Sequence, residues 1–373
     1  MTEAEKQPIL FDTYPDLFEK IPWISLGKFP TTVHRLEGFG HPHLWIKRDD
    51  LSSSIYGGNK IRKLEFILGD VKKRKKTRVV TLGGIGTNHG LATAIFCERL
   101  KLHCSLILFE QPVNKYVRQN LLLFHRYGAE IILKKTTLKA GLYFYIFKRL
   151  RNPRAYYLYA GGSTPVGVLG FVNAAFELKR QIHAGLIPEP DTIFCPLGSN
   201  GTMAGLALGL LLAGMEAKVI GVRVAPSHLG PFEMVTPGTV LSLMKKTYRH
   251  LRAKSSRIPS VHFSLPTVLD NYFGQGYGYS TEAGEKALYL MKKKGNIKLE
   301  PTYTSKTFAA VLDFIKNRTK KEDKILYWHT YNSVDLAREA DDGDYRNLPI
   351  KFHRYFRKPL FPFRMSINRR LSL

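Results

Sequence analysis

Short runs of apolar, often β-branched residues alternate with amphipathic segments along most of this chain. The apolar runs predict buried strands at 78–82, 104–109, 130–133, 192–195 and 219–224. The segments between and beside them predict helices at 91–100, 117–127, 169–183 and 203–213. Because strands that alternate with helices favour parallel sheets covered on both faces, the sequence predicts an α/β fold with mainly parallel sheets.

A further helix is predicted directly after the turn Gly57-Gly58-Asn59. Its apolar residues share one face at helical spacing: Ile61, Leu64, Ile67, Leu68 and Val71. Lys60 therefore lies in the first turn, where the unpaired backbone N–H groups disfavour a second positive charge. The position is predicted to favour the neutral amine, which is the form that attacks an aldehyde to make a Schiff base.

The 373 residues are enough for two domains, and the formal net charge is +27. Lysines and arginines cluster at 72–76, 245–257, 292–294 and after 346. Most of these clusters fall at predicted helix ends, where cations stay solvated, and no nucleic-acid-binding motif accompanies them. Nucleic acid is therefore not expected as a partner, although an anionic substrate or cofactor would be attracted.

The remaining composition indicates a protein of the cytoplasm. The three cysteines, Cys97, Cys104 and Cys195, lie in apolar segments without metal-ligand spacing, which predicts reduced buried thiols and no metal site. Residues 1–8 are polar and partly acidic, unlike a signal peptide, and the most apolar run, 204–214, is too short to span a bilayer. Cytoplasmic localisation without a membrane partner is predicted, and residues after about 344 show no periodicity.

Six ordered motifs resemble the 1-aminocyclopropane-1-carboxylate deaminase and D-cysteine desulfhydrase family of pyridoxal-phosphate enzymes. They lie at 47–65, 83–89, 161–167, 198–202, 300–304 and 329–330. The resemblance extends from about residue 21 to residue 329, and six ordered motifs are far more specific than one glycine-rich loop. It implies a homodimer with the two-domain, tryptophan-synthase-β-like fold (fold type II), in which the cofactor lies between two α/β domains.

The same resemblance implies where the domains divide. Residues 1–64 and 161–345 would form the larger, cofactor-binding domain, and residues 65–160 the smaller α/β domain. Residues 346–373 would form a basic C-terminal tail. Lys60 would then lie at the junction of the two domains, where cofactors are commonly bound.

The motif at 198–202 follows an apolar run and opens an apolar helix, which suits a phosphate group. Its glycines let the backbone approach an anion, while N–H groups and the hydroxyls of Ser199 and Thr202 supply donors. The resemblance implies that Lys60 binds pyridoxal 5'-phosphate, assisted by one set of residues: Asn59, Asn88, Gly198, Ser199, Asn200, Gly201, Thr202 and Thr304.

The resemblance also implies a site for a small amino-acid substrate at Thr87, Asn88 and His89. Thr87 stands where the family has a catalytic serine, and Gly86 replaces a glutamine, which would make room for the extra methyl group. Tyr303 matches a tyrosine near the substrate and is a candidate acid or base if its pKa is lowered.

Thr304 falls where the family places the partner of the pyridine nitrogen. A threonine there gives a weaker electron sink than a glutamate, and this favours β-elimination of a thiol. The leading prediction is therefore a D-cysteine desulfhydrase-like lyase that yields pyruvate, ammonia and sulfide. The alternatives are a 1-aminocyclopropane-1-carboxylate deaminase and a catalytically silenced pyridoxal-phosphate-binding protein. Tyr331-Asn332, which replaces paired glycines of the family, motivates the last of these.

Overall fold

The chain folds around two β-sheets in this computed structural model, which describes residues 7–148, 150, 152–317, 320–357 and 359–360. The larger sheet contains six strands: β1 (Val33–Arg35), β2 (Leu44–Arg48), β7 (Thr192–Leu197), β8 (Lys218–Arg223), β11 (Thr267–Leu269) and β12 (Ile325–His329). Their order is β1-β2-β12-β7-β8-β11, and all neighbours are parallel except β1 with β2.

The smaller sheet contains four strands: β3 (Arg78–Gly84), β4 (His103–Phe109), β5 (Glu130–Lys134) and β6 (Ala155–Leu158). Their order is β5-β4-β3-β6, and every pair is parallel. A short antiparallel pair, β9 (His228–Leu229) with β10 (Phe232–Glu233), stands apart from both sheets. The mainly parallel α/β architecture predicted from the sequence is confirmed.

Helices cover the sheets and connect the strands. The α-helices are α1 (Ile9–Thr13), α2 (Asn59–Lys73), α3 (Asn88–Arg99), α4 (Lys115–Arg126), α5 (Thr137–Leu142), α6 (Pro165–His183), α7 (Gly201–Ala213), α8 (Pro237–Arg252), α9 (Glu282–Gly295), α10 (Thr304–Asn317), α11 (Ala337–Asp341) and α12 (Ile350–Arg357). A π-helical segment, Tyr143–Lys148, continues α5. Each helix and strand predicted from periodicity is present, with bounds correct to within about one helical turn.

Helix α2 is held tightly against α6 because a glycine allows the two backbones to approach. A Cβ atom on Gly170 would lie 2.0 Å from the carbonyl oxygen of Arg62. Two more glycines, Gly205 and Gly209, let α7 approach α6 in the same way, with Cβ positions 2.7 and 2.8 Å from carbonyl oxygens of that helix. The close packing fixes the position of α2, in which Lys60 is the second residue.

The C-terminal segment is more ordered than its sequence indicated. Phe352 and Tyr355 of α12 are buried in the hydrophobic core of the smaller sheet, and Arg118 Nε donates a hydrogen bond to the Tyr355 carbonyl. These two aromatic residues are three positions apart, so one face of a short helix buries both. Residues 1–6 and 361–373, with the predictions made for them, lie outside the described residues.

The predicted domain boundaries stay a prediction, although each sheet draws its strands from the expected ranges. The three cysteines are buried and unpaired, as predicted. Within the part of the chain that the structure describes, no helix combines the length and the apolar character needed to cross a bilayer.

Candidate active site

A cavity of about 250 Å³ lies where loops that follow β3, β7 and β12 meet the start of α2. Ligands of parallel α/β proteins commonly bind at this carboxyl end of the strands. Every predicted site residue lines the cavity except Gly201, which lies within the lining segment 198–202: Asn59, Lys60, Thr87, Asn88, His89, Gly198, Ser199, Asn200, Thr202, Tyr303 and Thr304. The structure thus brings together loops that are far apart in the sequence.

Lys60 is the second residue of α2, and its Nζ donates a hydrogen bond of 2.7 Å to Asn59 Oδ1. Burial lowers the pKa of Lys60 to about 8, although the nearby carboxylate of Glu300 acts in the opposite direction. The direction of this pKa shift agrees with the predicted bias toward the neutral amine, and burial is the cause that lowers the pKa. A lysine of this kind is suited to attack an aldehyde.

The rate at which the apo-protein captures pyridoxal phosphate covalently is expected to rise with pH through a midpoint near 8. The neutral fraction of Lys60 would increase from about one tenth at pH 7 to about nine tenths at pH 9, whereas a solvated lysine titrates near 10.4. Absorbance near the visible edge after rapid mixing measures this rate. Glu300→Gln should move the midpoint below 8, because the carboxylate raises the pKa of Lys60. A rate that still increases steeply above pH 9.5 or so would contradict the assignment.

The segment 198–202 forms a tight turn into α7. Asn200, with φ of 68°, immediately precedes the helix, and its side chain donates to Met234 O and Thr239 Oγ1. Only the backbone of Asn200 is therefore free to contribute to an anion site. Thr202 Oγ1 accepts a hydrogen bond from Asn59 Nδ2 at 2.9 Å, so its own proton remains available to a ligand.

Two further residues lie against Gly201 of this turn and were not predicted as site residues from the sequence. Ser163 Oγ is 3.0 Å from Ser199 Oγ and accepts a hydrogen bond from the Gly201 amide. Lys63 Nζ donates to Gly161 O at 3.1 Å, and burial together with Lys60 lowers its pKa well below the usual value. The spacing of Lys60 and Lys63 could have identified the second lysine, since residues three apart share a helix face.

Thr87 is the N-cap of α3, and its Oγ1 accepts a hydrogen bond from the Gly90 amide at 3.2 Å. The expectation that Gly86 makes room for the threonine methyl stays a prediction, but two other glycines also border that methyl group. A Cβ on Gly90 would lie 2.5 Å from that methyl carbon, and one on Gly83 3.0 Å away, whereas a Cβ on Gly86 would meet Val117 instead. Gly83 and Gly90 therefore accommodate the methyl group.

Asn88 and His89 follow Thr87 at the start of α3. Asn88 Oδ1 accepts from Asn120 Nδ2 at 3.3 Å. His89 is 4% exposed and lies within hydrogen-bond distance of Thr81 Oγ1 through Nε2, while its Nδ1 has no partner among the residues that the structure describes. Burial, followed by the charges of Lys60 and Lys63, lowers its pKa well below the usual value, so the ring is neutral. Its unpaired nitrogen is a group that a bound ligand could satisfy.

Tyr303 is paired with Tyr277, a residue whose role the sequence left open. Their hydroxyl groups are hydrogen-bonded, and the two rings meet edge to face with centroids 6.0 Å apart. Burial and the neighbouring Tyr277 raise the pKa of Tyr303 well above the usual value. The condition for Tyr303 to act as a base, a lowered pKa, is therefore not met, and its protonated hydroxyl is suited to donate.

Thr304 begins α10 and interacts closely with Glu300. The Glu300 amide donates to Thr304 Oγ1 at 2.8 Å, and the Glu300 carboxylate accepts from the amides of Thr302, Tyr303 and Thr304. These contacts cap the helix. Burial raises the pKa of Glu300, while the amide hydrogen bonds partly offset this effect.

Tyr331 and Asn332 replace the family's paired glycines, and the two residues differ in what they contact. Asn332 Oδ1 accepts hydrogen bonds from the amides of Gly57 and Val334, at 2.7 and 3.0 Å. It therefore fixes the turn that precedes Lys60. Tyr331 lines the cavity, and Lys298 Nζ lies 5.9 Å from the centre of its ring.

The residues of the cavity fit pyridoxal phosphate. The turn at 198–202 leaves no room for larger side chains, since a Cβ on Gly201 would lie 2.7 Å from Lys63 Nζ and one on Gly198 2.9 Å from the Tyr303 ring. Backbone amides and the hydroxyls of Ser199 and Thr202 form a donor set suited to a phosphate monoester, and Ser163 and Lys63 support this turn from behind. Lys60 supplies an amine for the aldehyde in the same cavity.

Two parallel-stranded sheets, a glycine-lined phosphate cradle and a buried amine define an α/β enzyme built around a phosphorylated aldehyde. A family profile confirms this class: the chain belongs to the pyridoxal-phosphate dependent enzyme family, whose match extends over residues 24–330. Pyridoxal phosphate is accordingly its cofactor, and the resemblance seen in the sequence is confirmed.

Within this family, the chain is similar to individual named proteins over most of its length. The chain is 32% identical to a D-cysteine desulfhydrase of Klebsiella pneumoniae, over 83% of this chain and 94% of that protein. It is 30% identical to a Thermotoga maritima protein named provisionally as a 1-aminocyclopropane-1-carboxylate deaminase, over 82% and 95%. A crystal structure of a 1-aminocyclopropane-1-carboxylate deaminase homologue is also similar. The match covers 90% of this chain and 98% of that chain, with 26% sequence identity and a TM-score of 0.74.

Proposed function

We propose that the protein is a pyridoxal-phosphate-dependent lyase that eliminates the β-substituent of a small amino acid, with D-cysteine as the expected substrate. D-cysteine and water would give pyruvate, ammonia and hydrogen sulfide. The observation that carries this proposal is that Thr304 lines the same cavity as Lys60. A neutral hydroxyl beside the cofactor's pyridine nitrogen would give a moderate electron sink, which suffices for loss of a thiol.

Pyridoxal phosphate, when bound, accepts the electron pair released as a proton leaves the substrate α-carbon. We assign removal of that proton to Lys60, because its pKa of about 8 is close enough to neutral pH for the amine to take up and release a proton. Tyr303 stays protonated and would donate toward the departing sulfur. The loop at 87–89 would hold the substrate carboxylate with its N–H groups and the Thr87 hydroxyl. The two α/β domains and the homodimer predicted above belong to this proposal.

Product analysis distinguishes the lyase from the deaminase. Purified protein loaded with pyridoxal phosphate is incubated with D-cysteine and, separately, with 1-aminocyclopropane-1-carboxylate. We expect sulfide and pyruvate in equal amounts from D-cysteine, and little 2-oxobutyrate from the second compound. Formation of 2-oxobutyrate without sulfide would instead identify a deaminase and contradict the role given to Thr304.

A silenced cofactor-binding protein is the second candidate, and Tyr331 is the observation that favours it. The side chain occupies cavity wall where the family resemblance implies a glycine. This candidate predicts an absorbance band near the visible edge without either product. Recovery of sulfide release in Tyr331→Gly would then show that the tyrosine excludes the substrate.

A further inference from the structure

A strip of large apolar side chains lies exposed along the helix that runs from residue 137 to residue 148. Leu138, Leu142, Tyr145, Ile146 and Leu150 are each between 46% and 79% exposed. Positions 138, 142 and 146 recur every four residues, so they follow one side of α5 and its π-helical continuation, and Leu150 lies just beyond the end of that segment. We refer to these five residues as the apolar strip.

The helix that carries the apolar strip is packed firmly against the smaller sheet. On the opposite side, Ala140 and Phe144 are at most 2% exposed and pack in a core cluster with Val80 and Ile107 of the smaller sheet. Both faces of this helix are therefore apolar, and among the residues that the structure describes only one of the two faces is covered. Contiguous exposed apolar surface of this kind usually marks a contact with another molecule.

The sequence around the apolar strip is unusually basic. Residues 131–176 contain seven lysines and arginines and no aspartate or glutamate. Lys135, Lys139 and Arg154, which are close to the strip in sequence, are exposed. Neither the cofactor nor a small amino acid requires this distribution, so it is a separate property of the surface.

We propose that the apolar strip docks onto a bilayer surface rich in anionic phospholipids, lying in the headgroup region without crossing the membrane. Leucine and isoleucine side chains would enter the boundary of the acyl chains, while the surrounding cations would meet lipid phosphates and carboxylates. Thr137, at the start of the same helix, lines the active-site cavity, so the docked face would adjoin the site.

Charge argues against the other occupants of this surface. A second copy docked here with two-fold symmetry would bring the same cations of both chains together, which is unfavourable. A nucleic acid would attract the cations but offers no apolar region for the leucines. The predicted homodimer would accordingly form through a different surface.

Vesicle sedimentation tests the proposal with the full-length, cofactor-loaded protein. Vesicles of phosphatidylcholine alone are compared with vesicles that also contain phosphatidylserine, and binding is expected only to the anionic mixture. The variant Leu142→Ser/Ile146→Ser should bind the anionic vesicles at least about tenfold more weakly, because it loses apolar contact without a change in charge. The matched control, Leu186→Ser/Leu265→Ser, changes residues 55% and 65% exposed elsewhere and should bind like the parent protein.

Three results would overturn the proposal. Equal binding by both double variants would show that net charge alone attracts the protein to the vesicles. Equal binding to neutral vesicles would remove the role of the cations. A strip variant that becomes monomeric in sedimentation without vesicles, while the parent and the control variant remain dimeric, would show that the apolar strip joins two copies of the chain.

Discussion

Lys60→Ala is expected to abolish covalent attachment of pyridoxal phosphate and to reduce sulfide release from D-cysteine by about 10⁴-fold. Lys60 presents an amine of lowered pKa to the cavity beside Asn59, and the family resemblance of the surrounding motif implies that it is the cofactor lysine. The substitution removes both the attacking amine and the proposed base. The absorbance band near the visible edge should be absent from the variant even after the cofactor is added.

The neighbouring Lys63 provides a control for the substitution of Lys60. It is also buried with a strongly lowered pKa, and it lies on the same side of α2. Lys63→Met keeps most of the side-chain volume but removes a donor at the phosphate cradle. This variant should retain the absorbance band and require a higher concentration of pyridoxal phosphate for saturation. Loss of the band in Lys63→Met together with its survival in Lys60→Ala would reverse the two assignments.

Local sequence patterns predicted the parallel α/β organisation because strands and helices near β3, β4, β7 and α7 bury continuous apolar faces. They predicted the site loops because glycines and hydroxyl residues fall directly after strands, as at 83–90 and 198–202. The pair β2 and β12, which is central to the larger sheet, was missed. Strand β2 contains Lys47 and Arg48, and charged residues interrupt the apolar run by which strands are recognised.

Other properties depend on contacts between distant residues and could not be predicted locally. The pKa of Tyr303 is raised because the surrounding protein excludes water and because the hydroxyl of Tyr277, from another loop, is hydrogen-bonded to it. Ser163 joins the phosphate cradle only because the chain at 161–163 folds back beside Ser199. Similarly, Leu142 and Phe144 have the same apolar character, but only the fold shows that one is exposed and the other buried.

The motif at 47–51, which contributed to the family resemblance, supports the site from a distance. Lys47 and Arg62 both pair with Glu177, at 2.5 and 2.8 Å, and Arg62 also pairs with Asp49 at 2.7 Å. The four side chains are at most 1% exposed, and Trp328 Nε1 completes the network by donating to Asp49 Oδ2. The network joins β2, α2, α6 and β12, the elements that hold Lys60 in place.

Glu177→Gln is expected to lower the free energy of unfolding by about 3–5 kcal/mol, because two buried cations lose a shared carboxylate. Arg62 cannot release its proton, so the cost is not relieved by neutralisation. The control Asp12→Asn makes the same chemical change in the exposed pair Arg180–Asp12 and should cost less than about 1 kcal/mol. Urea unfolding measures both, and similar losses in the two variants would contradict a structural role for the network.

The Glu177 carboxylate also makes the free energy of unfolding depend on pH. The cations hold the pKa of Glu177 at about 2, below the 4.5 of an unfolded chain, despite the opposing effect of burial. A group whose pKa is lowered by folding stabilises the protein above its unfolded pKa, and this contribution is lost as pH falls from 4.5 toward 2. Over that interval the parent protein should lose about 3 kcal/mol that Glu177→Gln does not lose. Parallel acid-unfolding curves for the two proteins would refute this assignment.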